Sequence, residues 1–333
     1  MGSTLRATRG ATRGSAAILA LFFAIFAAAL PAGVWTHQFP GNSPQERSGH
    51  GMAYDFAQNE VVLFGGGMSS LDFDDTWVWN GSNWIQRFPA LHPSSRAGHA
   101  MAYDAGRGQV VLFGGQGDVI TAYASFNDTW VWSNNNWMQK FPGTSPAARS
   151  NFAMVYDSAH SEIVLFGGSA LNTMLSDTWV WNGRDWIEKF PAVHPTARFG
   201  HAMVYDAAHG QVVLFGGSGG GGGDLNDTWI WNGSDWTEKY PGLRPAVRQG
   251  HAMVFDGARG EVVLFGGVNS GFHTLNDTWV WNGARWTQQF PSLSPVGRDA
   301  HAMTYDAGHG KIVLFGGFTP SSGGFLADTW TWH

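Results

Sequence analysis

The sequence predicts an all-β chain: a six-bladed β-propeller of four-stranded antiparallel blades, its ring closed by the N-terminal strand pairing into the last blade. Three observations carry that reading. A unit of the form R-x-G-H-A-M-V-Y-D recurs with starts at Arg47, Arg96, Arg149, Arg198, Arg248 and Arg298, at intervals of 49, 53, 49, 50 and 50 residues. Each unit holds four short segments of strand character, and no helical spacing occurs after residue 30. The sixth unit stops at His333 without its fourth segment, while residues 35–40 (WTHQFP) supply it from the other end of the chain. Four short strands repeated at a period near 50 are the signature of a propeller.

The fourth unit shows why each segment reads as a strand. HAMVYD (201–206) alternates and carries a β-branched residue. QVVLFGG (211–217) is a continuous apolar run ended by glycines, as a strand covered on both faces requires. DTWIW (227–231) is aromatic and β-branched. WTEKY (236–240) alternates apolar and polar, and the Asn-Gly between third and fourth segments is a strong hairpin signal. Closure explains two counts. Three tryptophans in each of six units account for all 18 only if Trp35 belongs to the sixth unit. Two prolines per unit are found only if Pro40 and Pro44 are included, which leaves Pro31 and Pro320 as strays among 14. An unclosed ring would leave open sheet edges.

Composition narrows the chemistry. There is no cysteine among 333 residues, which excludes disulfides, thiolate metal sites and a cysteine nucleophile. A formal net charge of −6 lacks the basic footprint of a nucleic-acid binder. Residues 1–32 are separate from the propeller of 33–333. Arg6, Arg9 and Arg13 precede an apolar run at 15–30 and a small-residue stretch, the order of a secretory signal. The competing reading is an uncleaved anchor, since 16–34 just reaches spanning length. Cleavage places the propeller outside the cell or in the periplasm; retention makes it a membrane-anchored ectodomain.

The Gly-Gly doublet after an apolar strand, the aromatic pair that follows and the separated third Trp resemble the Kelch repeat. The resemblance covers residues 34–333. It departs where Kelch units usually carry Tyr: here the residue is Trp (Trp79, Trp132, Trp181, Trp231, Trp281, Trp332). The resemblance implies a propeller and, most often, a binding scaffold. A few members are enzymes, among them a copper radical oxidase group and a six-bladed sialic acid mutarotase group. The oxidase cofactor is a Tyr crosslinked to Cys, and this chain has no Cys.

A residue present in every blade suits structure better than catalysis, because a catalytic site needs one asymmetric constellation. His50, His99, His201, His251 and His301 share one position with Phe152. Equal radius in six blades holds them too far apart for one metal ion, so a hydrogen bond repeated inside each blade is expected and no metal or cofactor is implied. Arg47, Arg96, Arg149, Arg198, Arg248 and Arg298 match in number Asp75, Asp128, Asp177, Asp227, Asp277 and Asp328. Structural Arg–Asp pairing is expected over an anion-binding ring. Most of the tryptophans are expected as core between blades rather than as sugar platforms. The N-x-S/T strings at Asn80, Asn127, Asn226, Asn232 and Asn276 fall on repeat positions and read as turn chemistry. The glycine run at 216–223 reads as a flexible loop tip, with no lysine or helix to make it a phosphate loop.

Variation is confined to the stretch between Gly-Gly and Asp-Thr-Trp, which runs 8, 12, 8, 9, 9 and 10 residues. In a propeller these stretches share one face with the connections between blades, and loops on a rigid frame carry function. The candidate binding residues are Asp118, Ile120, Tyr123 and Phe126 in the longest stretch, with His273 and Asp299. The expected function is a non-enzymatic scaffold for a protein or glycan. The alternative is a sugar-active enzyme, mutarotase- or lyase-like, at the channel mouth, with Glu46, Asp72, Asp74, Asp118, Asp224 and Asp299 as its acids. Convergence of those acids with His273 would favour the enzyme; scatter would favour binding. For the N-terminus, mass analysis of the exported protein is expected to show a start between Leu30 and Val34, whereas a membrane-bound product that keeps Met1 or Gly2 supports the anchor.

Overall fold

A computed structural model describes residues 1–2, 33–119, 122–171, 173–320 and 324–333. Two units separate, Met1–Pro31 and Ala32–His333. The apolar segment 15–30 lies outside the described residues, and no helix among the described residues is long and apolar enough to cross a membrane.

The second unit is six four-stranded antiparallel blades. Blade 1 runs from the channel outward as Gly51–Asp55, Glu60–Phe64, Thr76–Trp79 and Trp84–Arg87. Blade 6 is built from both ends of the chain: Ala302–Asp306, Lys311–Phe315 and Thr329–Trp332, then Trp35–Gln38 as its outer strand. Trp35 faces Trp332 and Gln38 faces Thr329 in that pairing. Reciprocal hydrogen bonds between Val34 and His333 extend it by one residue.

Burial follows the sequence pattern. The second strand of each blade is enclosed on both faces, with Val61, Val62, Leu63 and Phe64 fully buried in blade 1 and the same at every equivalent. The core is six clusters, each between two adjacent blades. Buried tryptophans must place their N–H groups. The outer-strand Trp does so across the blade boundary, donating to the Thr that opens the third strand of the preceding blade. Trp84 donates to Thr329 at 2.9 Å and Trp137 to Thr76 at 2.9 Å. Trp186, Trp236 and Trp286 repeat the link to Thr129, Thr178 and Thr228 at 3.0 Å. Trp35 completes the circle by donating to Thr278 at 3.0 Å.

A second circle lies at the channel. The residue before each repeat histidine donates its backbone N–H to the carbonyl of its counterpart in the preceding blade. The links run from Gly98 to Gly49, Asn151 to Gly98, Gly200 to Asn151, Gly250 to Gly200, Ala300 to Gly250, and Gly49 to Ala300, each at 2.8 Å. All six residues hold a left-handed backbone, with φ between 51° and 66°. Glycine adopts that conformation freely, which accounts for its use at four of the six positions.

The Gly-Gly doublet is a junction between blades. The N–H of Gly66 donates to the carbonyl of Arg96 in the next blade at 2.8 Å. A Cβ on Gly65 would stand 2.7 Å from that same carbonyl oxygen, and one on Gly66 would stand 2.8 Å from the Cβ of His50. Side chains are excluded there by backbone on one side and by a packed imidazole on the other.

The doublet does not end the strands everywhere. In blades 3 and 4 they continue beyond it, as Glu162–Ala170 with Thr173–Trp181 and Gln211–Gly219 with Asp224–Trp231. A register shift falls between Phe166 and Gly168, and another between Phe215 and Gly217. In blade 2, Gln116–Val119 pairs with Ala122–Ser125. The variable stretches there are hairpins standing off the blade. The glycine run is correspondingly not a free loop: its first four residues belong to the strand Gln211–Gly219, because glycine at positive φ permits the bulge and the ladder resumes after it.

Deleting residues 34–40 opens two sheet edges and removes the buried Trp35 with its link to Thr278. The expected loss is at least ~3–5 kcal/mol from that side chain alone. Thermal denaturation checks it: a melting temperature within a degree or two of the parent's would contradict this closure.

Candidate functional site

The repeated polar groups are consumed by the frame. Arg47 is fully buried and forked onto Asp75, with Nη1 to Oδ1 at 2.6 Å and Nη2 to Oδ2 at 2.8 Å. Its remaining donors go to the carbonyls of Gly65 and Gln45. The same fork joins Arg96 to Asp128, Arg149 to Asp177, Arg198 to Asp227, Arg248 to Asp277 and Arg298 to Asp328, in each case within one blade. A tryptophan indole, Trp77 in blade 1, donates to the same carboxylate at 2.7 Å. Burial alone would raise the carboxyls of Asp128, Asp177, Asp227, Asp277 and Asp328, but the hydrogen bonds and charge of the paired arginine outweigh it and hold them below the usual range.

The repeat histidines work differently from the expected hydrogen bond. No ring nitrogen of His50, His99, His201, His251 or His301 bonds within its own blade; the backbone group that acts on each imidazole belongs to a phenylalanine of the preceding blade, Phe315, Phe64, Phe166, Phe215 and Phe265 in turn. Each imidazole instead sits edge-on against a phenylalanine of the preceding blade, with centroids 5.5–5.7 Å apart. Phe152 makes the same contact with Phe113 at 5.7 Å, so the position asks for a flat ring rather than for a base. Burial, with the neighbouring arginine, pushes His99, His201 and His301 down to about 3, and His50 and His251 well below the ordinary value. These rings are neutral. Among the described residues, no group of three or more His, Asp or Glu is placed to hold a metal ion.

The channel inside this frame is nearly six-fold symmetric. A cavity of about 440 Å³ is lined by one methionine per blade, Met52 to Met303, and by an aromatic ring two residues on in each blade. It is apolar and repeats around the axis, so it presents no single constellation.

Symmetry breaks at the channel mouth. The residue after each repeat arginine is Ser48, Ala97, Ser150, Phe199, Gln249 or Asp299. Each of these pairs with the residue that follows a Gly-Gly doublet, or lies in the short strand Arg198–Phe199, so the frame holds five kinds of side chain at six equivalent places. Blades 3 to 6 form a cavity of about 320 Å³ there. Asn151, Phe199, Gln249 and Asp299 come from the connections between blades, and Phe272 and Phe318 from the variable stretches. Burial pushes the Asp299 carboxyl up to about 6, against a weaker opposing bond from its own backbone N–H.

Of the six residues singled out as binding candidates, only Asp299 lines this cavity. His273 is exposed on the turn after Phe272, where its N–H donates to Asn269 Oδ1 at 3.1 Å. Phe126 is a frame position: its ring lies 4.2 Å from the Arg96 guanidinium, as Phe73 does with Arg47. Asp118 and Tyr123 face each other across the blade 2 hairpin. Their side chains, and Ile120 altogether, lie outside the described residues.

The other acids whose side chains are described do not gather at the mouth. Glu46 is exposed, Asp74 lies 3.8 Å from His92, and Asp224 accepts a hydrogen bond from Ser270. Asp72 sits against Gly67 of its own hairpin. Phe199, Gln249 and Phe318 were not singled out from the sequence, although each departs from its repeat column, a signal that a column-by-column reading would have caught.

Comparison with known proteins agrees with this architecture. The KLHDC2/KLHL20/DRC7 Kelch-repeats domain matches residues 25–187. The solved structure described as "Structure of YjhT" is similar over 87% of this chain and 95% of that one, with a TM-score of 0.68 at 14% identity, a likeness of fold alone. In all, 325 solved chains match, so the fold does not choose among functions. No curated protein matches.

The neutral histidines set a pH dependence. An unfolded histidine takes up a proton below about pH 6.5, whereas His201 in the fold does so only near 3. Stability therefore falls as pH drops between those values. His201→Phe, which copies Phe152, is expected to melt close to the parent at pH 7 and to gain on it by about 1.4 kcal/mol per pH unit below 6.5. Parallel stability curves for the two proteins would show that the imidazole is charged in the fold.

Proposed function

We propose, from the chain's membership of the Kelch-repeat β-propellers, that it is a non-enzymatic binding scaffold that takes a protein or glycan ligand over the channel mouth. In this reading the propeller works outside the cell or in the periplasm, free after loss of residues 1–32 or tethered by them. One observation carries the proposal: the frame repeats its arginines, aspartates, glycines and tryptophans blade by blade, and the departures from repetition collect at the mouth and in the hairpins around it. A recognition surface needs unlike groups on a rigid support, and this is where the chain puts them.

The sugar-active alternative has one supporting feature, the raised Asp299 carboxyl. Mutarotase- or lyase-like chemistry needs a general base and a general acid within reach of one substrate. None of the other described acids lines the cavity. The arrangement therefore supports recognition over turnover.

A glycan and protein-ligand screen on residues 33–333 supplies the ligand for the test. Phe199→Ala and shortening of the 116–127 stretch to the eight-residue length of blade 3, with Gln116 and Phe126 kept, should both keep the parent's melting temperature, because every framing residue remains. Each is expected to weaken the ligand by about tenfold, the scale of one lost anchor. Unchanged affinity in both variants would place the site elsewhere, and turnover of a screened sugar would favour the enzyme.

A further inference from the structure

The mouth cavity has an unusual chemistry for a surface cleft. Three phenylalanines line it, Phe199, Phe272 and Phe318, together with two amides, Asn151 and Gln249, and one carboxylate, Asp299. No lysine, arginine or histidine is among its lining residues. Asp299 is the one ionisable group there.

Its carboxylate has no salt-bridge or side-chain hydrogen-bond partner, unlike the six frame aspartates, each of which is held by an arginine and a tryptophan. Asp299 projects from the connection between blades 5 and 6, and its Oδ2 lies 3.5 Å from where a side chain on Gly250 would begin.

Phe318 is steadied by an edge contact with Phe325 at 5.1 Å. Phe272 is 82% exposed and sits on a turn at φ 59°, a conformation that costs a bulky residue energy. An exposed aromatic ring at a left-handed position thus stands beside an acid that has no counter-charge among the described residues.

We propose that the channel mouth binds a small methylated ammonium ligand, with its positive head against Asp299 and its methyl groups on the faces of Phe199, Phe272 and Phe318. Aromatic faces carry negative potential, and quaternary ammonium groups are recognised by such rings. Phenylalanine offers the face without a hydroxyl, which suits a head that has methyl groups in place of N–H donors. The chain's net charge of −6 adds a long-range attraction of the right sign. A cavity of about 320 Å³ is at the small end of ligand sites and fits a compact head. This inference rests on the mouth being the binding site and names the ligand class it takes.

The test uses two probes of the same shape, choline and its uncharged carbon analogue 3,3-dimethylbutan-1-ol, titrated calorimetrically into residues 33–333. Choline is expected to bind at least tenfold more tightly than the neutral analogue. Asp299→Asn, which keeps the shape, should remove that preference. Phe272→Ala, at an exposed turn, should weaken choline severalfold with no change in melting temperature. Equal affinity for both probes, no binding of choline, or choline binding that both variants leave intact would each overturn the proposal. The two readings fail separately. A screened ligand that Phe199→Ala weakens, with no choline binding, leaves the mouth as the site and rejects the ammonium class. A screened ligand indifferent to Phe199→Ala, with choline bound in an Asp299-dependent way, rejects the mouth as that ligand's site and keeps the cation pocket.

Discussion

The closed circle of six backbone hydrogen bonds at the channel is the constraint on which the rest of the molecule depends. Each link joins the N–H of one blade to the carbonyl of the one before, and the sixth link returns to the first. Such a circle exists only if every blade meets its neighbour at the same angle and height, and only if the linking residue turns left-handed. Gly49, Gly98, Gly200 and Gly250 do this at no steric cost; Asn151 and Ala300 do it at some. The alternation of tight turn and buried imidazole that follows is therefore the same in five blades, with Phe152 standing for the histidine in blade 3.

Further circles lie outside this one. Gly-Gly N–H groups reach the arginine carbonyls of the next blade, and outer-strand indoles reach threonine hydroxyls of the preceding blade. Between them the blade faces pack dry, with the second strands fully buried. Because the links at each radius close on themselves, one blade cannot shift without disturbing both neighbours. The buried Arg–Asp forks hold the entry of each blade to its own third strand. Their cost in desolvation is offset by four hydrogen bonds from the guanidinium, two to the carboxylate and two to carbonyls.

This rigidity is what makes the mouth usable. Ser48, Ala97, Ser150, Phe199, Gln249 and Asp299 occupy equivalent places between an arginine and a ring residue that do not move independently. Their side chains are thus free to differ at little cost to the fold. Asp299 shows the freedom most clearly. It is a half-buried acid without a counter-charge among the described residues, whereas the six aspartates from Asp75 to Asp328 are each paired with an arginine.

Much of this architecture is legible in the sequence because it is written six times. Repetition identifies the blades, the four strands and the arginine–aspartate partners, and the tryptophan count places Trp35 in blade 6. Repetition also hides things. It cannot show that the histidines meet phenylalanines across a blade boundary, since a pattern within one unit is silent about the neighbour. Phe126 reads as a recognition residue in a long, distinctive stretch, yet its ring covers Arg96 as part of the frame. Sequence by itself determined the number of blades, the order of strands and the residues that must be shared by all. Which of the unlike residues stand together was decided only by the tertiary structure, because closing the ring brings Asn151, Phe199, Phe272, Asp299 and Phe318, spread over more than 160 positions of chain, onto one cavity.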